Sequence, residues 1–260
     1  MNTTLGPRDI GGIVGDTFRI YGSNFLRLIA IVAIVQVPLG ILGVVFFGSV
    51  GLGMIGVGAL GAWGDLWALV GTLAVFIAVF AIIAIVAGVL MQGAMIHAIS
   101  EQYVRQRVSV GEAYRFALRR LGAMLGAVIL AGLAVFGMAI TVIGIPAAIY
   151  FGVRWLFVQQ AALLEGLGPR AALSRSTALV KENWWRAFGI ILVVGIIAAA
   201  ASMILGLIPV VGSTIAGVLV APIGVTGGML LYYDLRVRKE GYGLEELASE
   251  LQAGSGSDVP

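Results

Sequence analysis

Residues 28–47 read LIAIVAIVQVPLGILGVVFF, and no Lys or Arg follows Arg27 until Arg105. A helix needs about 20 apolar residues to cross a hydrocarbon core of about 30 Å, so this interval has room for two crossings. The pattern repeats along the chain. All but one of the 16 Lys and Arg residues fall into four clusters: Arg8 to Arg27, Arg105 to Arg120, Arg170 to Arg186, and Arg236 to Lys239. The exception is Arg154, and the interval from Arg186 to Arg236 is again free of positive charge. Short loops rich in Lys and Arg stay on the cytoplasmic side. The predicted fold is therefore all-α and integral to the membrane, with six transmembrane helices in three hairpins and both termini cytoplasmic.

Six stretches meet the length requirement: Phe25 to Phe47, Leu66 to Gln92, Leu121 to Ile143, Ile145 to Leu164, Trp185 to Ile208, and Ser213 to Tyr233. They are too uniformly apolar for the alternating strands of a barrel, which leaves helices as the way to satisfy the backbone in lipid. A composition of 60% hydrophobic and 11% charged residues, with a mean hydropathy of +1.05, agrees. The absence of cysteine excludes disulfides, thiolate metal sites and cysteine nucleophiles. Asp9, Asp16 and glycines occupy the place of a basic n-region, so the first span is expected to stay uncleaved. The formal charge of +3 is concentrated on one face. That face suits the anionic lipids of an inner leaflet and needs no nucleic acid to explain it.

Each hairpin is preceded by an amphipathic elbow expected to lie at the cytoplasmic interface. In Asp9 to Asn24, the residues Ile10, Ile13, Val14, Thr17 and Tyr21 share one helical face. The second elbow opens with Ser109 followed by Glu112, the spacing of a capping box, and places Ala113, Phe116, Ala117 and Leu121 together. The third begins at Gly168-Pro169, with Pro169 suited to a first helical position. It sets Leu173, Thr177 and Val180 opposite Arg170, Ser174 and Lys181. Gly15 to Ile20 parallels Gly111 to Phe116 in chemical type, and Ile20 to Arg27 parallels Leu179 to Arg186. These parallels predict three pseudo-repeats within a single domain of residues 1–240, spanning about 9–92, 109–165 and 168–239. Thr141 to Pro146 and Leu207 to Ser213 read as tight outer turns, and Gly48 to Asp65 as the one real outer loop, closed by Trp63 and Trp67. In residues 241–260, Leu244, Leu247 and Leu251 predict a short amphipathic helix before a disordered tail from Ala253 to Pro260.

Few residues suggest chemistry. Gly51 to Gly56 and Gly56 to Gly61 fit GxGxxG, but without the strand, helix and acid that a dinucleotide site needs. Close helix packing explains these glycines better, as it does Gly122 and Gly126. His97 is the only histidine, with Glu101 at i+4, and cannot build a His-rich metal site; a role in handling protons is the alternative. Arg154 lies about 12 Å into a span that opens at Pro146, near mid-membrane, where a charge costs at least about 2.5 kcal/mol. It calls for a partner. Tyr150 and Glu165 share its face, so Arg154, Tyr150 and Glu165 read as an internal polar clamp or a ligand site, and Glu165 can also reach Arg175. The candidates for anionic headgroups are Arg19, Arg27, Arg115, Arg119, Arg175 and Arg186. No serine stands beside a base, no carboxylates pair within a membrane face, and no phosphate loop exists, so no catalytic residue, metal site or cofactor is expected.

Val153-Arg154-Trp155-Leu156-Phe157, the run from Leu164 to Ser176, Trp184-Trp185-Arg186, and the run from Tyr232 to Gly241 together resemble the bacterial glycerophosphoryl diester phosphodiesterase membrane-domain family. The resemblance spans most of the chain and is strongest from Tyr150 onward. It implies a six-helix inner-membrane domain. The phosphodiesterase activity of fused members belongs to a barrel with histidines and metal-binding acids, which this sequence lacks, so it does not carry over. The expected function is a non-catalytic bacterial plasma-membrane protein, a lipid-interacting scaffold or accessory module. Its partners would be anionic phospholipids and either another membrane protein or further copies of itself. A transporter or channel subunit with a polar site at Arg154 is the alternative.

Overall fold

The computed structural model describes residues 6–60, 66–104, 109–209 and 211–255. Among them the fold is all-α. The helices are α1 (Ile10–Ser23), α2 (Phe25–Leu60), α3 (Leu66–Val104), α4 (Val110–Arg119), α5 (Leu121–Ala139), α6 (Ile145–Arg154), α7 (Val158–Leu164), α8 (Pro169–Val180), α9 (Trp184–Gly206), α10 (Gly212–Glu240) and α11 (Leu244–Ser255). Six stretches are long and apolar enough to cross a membrane: Phe25–Gly53, Val70–Val104, Leu121–Ala139, Ile145–Leu164, Trp184–Gly206 and Gly212–Glu240. The protein is a multipass membrane protein.

The three short helices that precede the apolar pairs form where the elbows are predicted. The Asp9 carboxylate accepts the Gly12 N–H at 2.9 Å and starts α1, which buries Ile13, Thr17 and Ile20 on one stripe. Ser109 Oγ accepts the Glu112 N–H at 3.4 Å and starts α4, whose buried face is Ala113, Phe116 and Ala117. Pro169 occupies the first turn of α8. The buried stripe of α8 is Ala172, Ser176, Leu179 and Val180; of the predicted face Val180 is buried, while Leu173 and Thr177 are half-buried and their neighbours Ala172 and Ser176 turn inward, a shift of one position. The shift arises because Ser176 is drawn inward by two backbone groups, described below.

Two helices run further than expected. The predicted outer loop from Gly48 does not open; α2 continues to Leu60, and at 36 residues reaches about 54 Å at 1.5 Å per residue. Trp63 and Asp65 lie outside the described residues, and Trp67 is an exposed member of α3. At the other end α11 includes Ala253 to Ser255, where a disordered tail was predicted. Leu247 and Leu251 belong to the same buried core as Ile13, Met95 and Tyr233, so α11 is part of the bundle.

Close backbone approaches occur at particular glycines. A methyl at Gly93 would lie 2.7 Å from Met124 Cε and 3.0 Å from Ala117 Cβ, which sets α3 directly against α4 and α5. A methyl at Gly126 would lie 2.6 Å from Pro169 Cγ, where α8 meets α5, whereas Gly122 faces open space. Gly241, at φ 65°, ends α10 in the left-handed conformation that glycine adopts without strain.

Candidate functional site

Among the described residues no Asp, Glu, Lys or Arg lies in 28–100, 121–153 or 187–233. The charges collect at one end of the bundle, around the last two turns of α10. Asp234 is fully buried there. Its carboxylate accepts the Arg8 N–H at 2.7 Å, Arg186 Nε at 3.0 Å and Nη2 at 2.9 Å, and Arg238 Nε at 3.0 Å. The Arg8 carbonyl in turn accepts from Arg186 and Arg238. Arg8 and Arg19 both pair with Asp16 on α1, at 2.8 and 2.6 Å. One buried carboxylate therefore joins the segment before α1 to the start of α9 and the end of α10.

A second chain of charges leads to α11. Tyr232 donates to Glu165 at 2.7 Å, and Arg175 Nε pairs with Glu165 at 2.6 Å. Arg175 also forks onto both oxygens of Glu240, one at 2.8 Å. Arg236 forks onto Glu250 at 2.8 and 3.0 Å, reaches Glu240 at 3.2 Å, and lies 3.6 Å from the centre of the Tyr242 ring. The Tyr242 hydroxyl completes the set by donating to Glu250 at 2.7 Å. The hydrogen bonds it donates to Glu240 hold Arg175 more firmly protonated than usual against the opposing effect of burial, and Glu165 adds to this. Burial pushes the Tyr242 hydroxyl well above its ordinary range, which keeps it a donor. Forked Arg–carboxylate pairs fix geometry as well as charge, and this end of the bundle is built as a lock.

The sequence-predicted residues divide accordingly. Arg175 and Arg186, read as headgroup ligands, have their guanidiniums committed to Glu165, Glu240 and Asp234. Their partners lie 10 to 65 residues away, beyond the reach of pattern reading. Arg27, Arg115 and Arg119 are exposed, and the Arg19 side chain, although paired with Asp16, is 60% exposed. Arg115 and Arg119 border a recess of about 250 Å³ with His97, Glu101 and Glu112. His97 is itself buried against the Phe116 ring at 4.2 Å.

Of Arg154, Tyr150 and Glu165, the structure brings together the first two, Arg154 Nη1 donating to the Tyr150 hydroxyl at 3.4 Å, while Glu165 bonds Arg175 and Tyr232. The fourth apolar stretch is not one straight helix, because α6 ends at Arg154 and α7 begins at Val158. Ser176 Oγ stitches this break to α8, donating to the Arg154 carbonyl at 2.7 Å and accepting the Phe157 N–H at 3.0 Å. The break carries Glu165 away to Arg175. Arg154 stays with Tyr150: its guanidinium lies 5.3 Å from that ring and 5.9 Å from Phe151, a cation–π arrangement. Arg154 lies beside Ser176, close to the charged end.

Next to it a groove of about 780 Å³ is lined by Pro146, Ile149 and Tyr150 from α6 and by Lys181 to Arg186 from the link into α9. Trp184 Nε1 donates to the Tyr150 carbonyl at 3.1 Å, and its ring stacks on Tyr150 and Phe188. Trp185 is 77% exposed and Lys181 is exposed at the mouth. The groove joins an apolar wall to a polar rim, the arrangement of a headgroup–acyl boundary. The residues that sequence reasoning missed are Arg8, Ser176, Asp234, Glu240 and Glu250. The only local signals for them were the i,i+4 spacings Asp234–Arg238 and Arg236–Glu240. The chain matches no protein-family model, no curated protein and no solved structure.

Proposed function

We propose that this is a non-catalytic scaffold or accessory protein of the bacterial plasma membrane, with both termini cytoplasmic, that holds anionic phospholipid at its charged end. One observation carries the reading: the described charges gather at a single end, rimmed by Trp184 and Trp185, with Arg19, Arg27, Arg115 and Lys181 presented outward. A basic, aromatic-belted end is drawn to the negative surface of an inner leaflet by about 1 kcal/mol per suitably placed cation. No relative adds to the resemblance to the phosphodiesterase membrane domains, so the proposal rests on these residues alone. The alternative is a transporter or channel subunit with a polar site around Arg154, whose guanidinium rests on the Tyr150 and Phe151 rings.

Native mass spectrometry of protein released from gently solubilised membranes tests the proposal. Phosphatidylglycerol retained by the wild type and lost from the Arg19→Gln, Arg27→Gln, Arg115→Gln triple variant is the expected result. Equal retention by both, or retention by neither, would overturn it.

A further inference from the structure

We propose that α5, its turn and α6 form a re-entrant hairpin that enters and leaves through the leaflet facing the charged end. On this reading only α2, α3, α9 and α10 cross the membrane, and the hairpin's occupant is the acyl region of one leaflet. The inference rests on the charged end lying at headgroup level, and not on any particular lipid being held there.

The first argument is one of reach. Trp184 is the first residue of α9, and its indole N–H meets the Tyr150 carbonyl at 3.1 Å. Pro146, one turn earlier, and Ile149 line the same groove as Lys181 and Arg186. Lys181 and Glu182 are exposed, Lys239 pairs with Glu182 at 3.3 Å, and Arg186 with Asp234 at 2.9 Å. A level so dense in charge lies at headgroups and not in hydrocarbon. From Tyr150 back to Ile145 α6 rises only about 8 Å at 1.5 Å per residue, and residues 142–144 form a turn closed by the hydrogen bonds of Gly144 to Thr141 and Ile145 to Val142. On the other leg, Gly126 is held against Pro169 of α8, and from there to Ile140 is about 21 Å. A crossing needs about 30 Å, which α9, with 23 residues, supplies. The α5–α6 turn therefore stops inside the membrane.

The second argument is the chemistry of the tip. From Val128 to Ala147 no residue is buried by protein. Leu133, Phe136 and Ile140 are 65–70% exposed, Val142 is 83% and Ile143 91%. Residues 121–149 contain no Asp, Glu, Lys, Arg, Trp or Tyr, so nothing anchors this turn at a second water boundary. A turn in hydrocarbon must satisfy its own backbone, and this one largely does. Ile140 N–H donates to Phe136 at 3.1 Å, Gly144 N–H to Thr141 at 3.0 Å, Ile145 N–H to Val142 at 3.3 Å and Ala148 N–H to Gly144 at 2.8 Å. The Thr141 hydroxyl folds back onto the Met138 carbonyl at 3.4 Å. Gly144 has no alternative, since a methyl there would lie 1.9 Å from the same carbonyl.

The chain's lack of cysteine makes the test direct. Single variants Val142→Cys and Ile143→Cys are treated in sealed membranes with an impermeant maleimide from each side. Val211→Cys in the α9–α10 turn and Lys181→Cys serve as markers of the two faces. The expected result is no labelling at 142 or 143 from either side, with full labelling after denaturation, while the two markers react from opposite sides. Reaction from the Val211→Cys side would show a complete crossing. Reaction from the Lys181→Cys side would show a hairpin lying on the surface. Either overturns the proposal. Because the readout is accessibility, it stands apart from whether anionic lipid is retained.

Discussion

At the scale of single residues, the structure concentrates its stakes on two buried polar side chains. Ser176, fully buried, joins the broken fourth stretch to α8 through one donated and one accepted hydrogen bond. Removing the hydroxyl leaves the Phe157 N–H without a partner, and an orphaned buried donor costs about 1–3 kcal/mol. Ser176→Ala should lower stability by that amount in a denaturant titration of detergent-solubilised protein, whereas Ser174→Ala on the exposed face of the same helix should change little. Asp234 is the more severe case. It neutralises Arg186 and Arg238 from a position with no solvent contact. Replacing buried ion pairs with apolar groups can be neutral, but removing one partner strands the others and costs about 3–5 kcal/mol. Asp234→Ala should therefore unfold or strongly destabilise the protein, and the same titration would show it. A loss under 1 kcal/mol would mean that water, not Asp234, satisfies these arginines.

At the scale of elements, α11 and α4 are fastened by contacts that can be released one at a time. Glu250 holds α11 to Arg236 and Tyr242, while Leu247 and Leu251 fill the core beneath. Glu250→Gln should loosen α11 without disturbing the long helices, seen as several-fold faster amide exchange confined to residues 244–255. On α4, the Tyr114 hydroxyl donates to the Ile31 carbonyl of α2 at 2.5 Å, and burial pushes its pKa up to about 12. The folded state thus prefers the neutral phenol. That contribution to stability is complete below about pH 10, the unfolded value, and is lost as pH rises towards 12. Tyr114→Phe should flatten the alkaline fall in stability across that window; an unchanged profile would assign the fall to other groups. These elements also show what a sequence discloses. The apolar face of residues 9–24, the capping box at Ser109, Pro169 and the uncharged apolar runs are local signals, and they led directly to α1, α4, α8 and the six apolar stretches. The glycine-rich residues 48–60 read as a loop because glycine weakens an isolated helix, yet α2 runs through them. Arg154 and Glu165 were read onto one face because a straight helix was assumed, and the break between them is held by Ser176, 22 residues from Arg154.

At the scale of the whole molecule, the decisive property is the separation of charge from an apolar body, and it distinguishes two kinds of arginine. Arg19, Arg27 and Arg115 face outward, so their attraction to an anionic leaflet is long-ranged and weakens with salt. Arg175 has its charge spent within the fold, between Glu165 and Glu240. The two kinds should therefore fail differently. At about 1 kcal/mol per outward cation, the outward triple Gln variant should lose on the order of a hundredfold in affinity for phosphatidylglycerol over phosphatidylcholine nanodiscs at low salt. That loss should shrink towards nothing as ionic strength rises, with stability preserved. Arg175→Gln should instead lower stability, loosening the contacts among α7, α8 and α10, and leave lipid preference within severalfold of wild type. Measuring both variants for lipid preference and for unfolding at two salt concentrations separates the cases. If Arg175→Gln proved to be the variant that lost lipid, the lock would itself open to headgroups, and the outward arginines would be ordinary positive-inside charges that fix orientation alone.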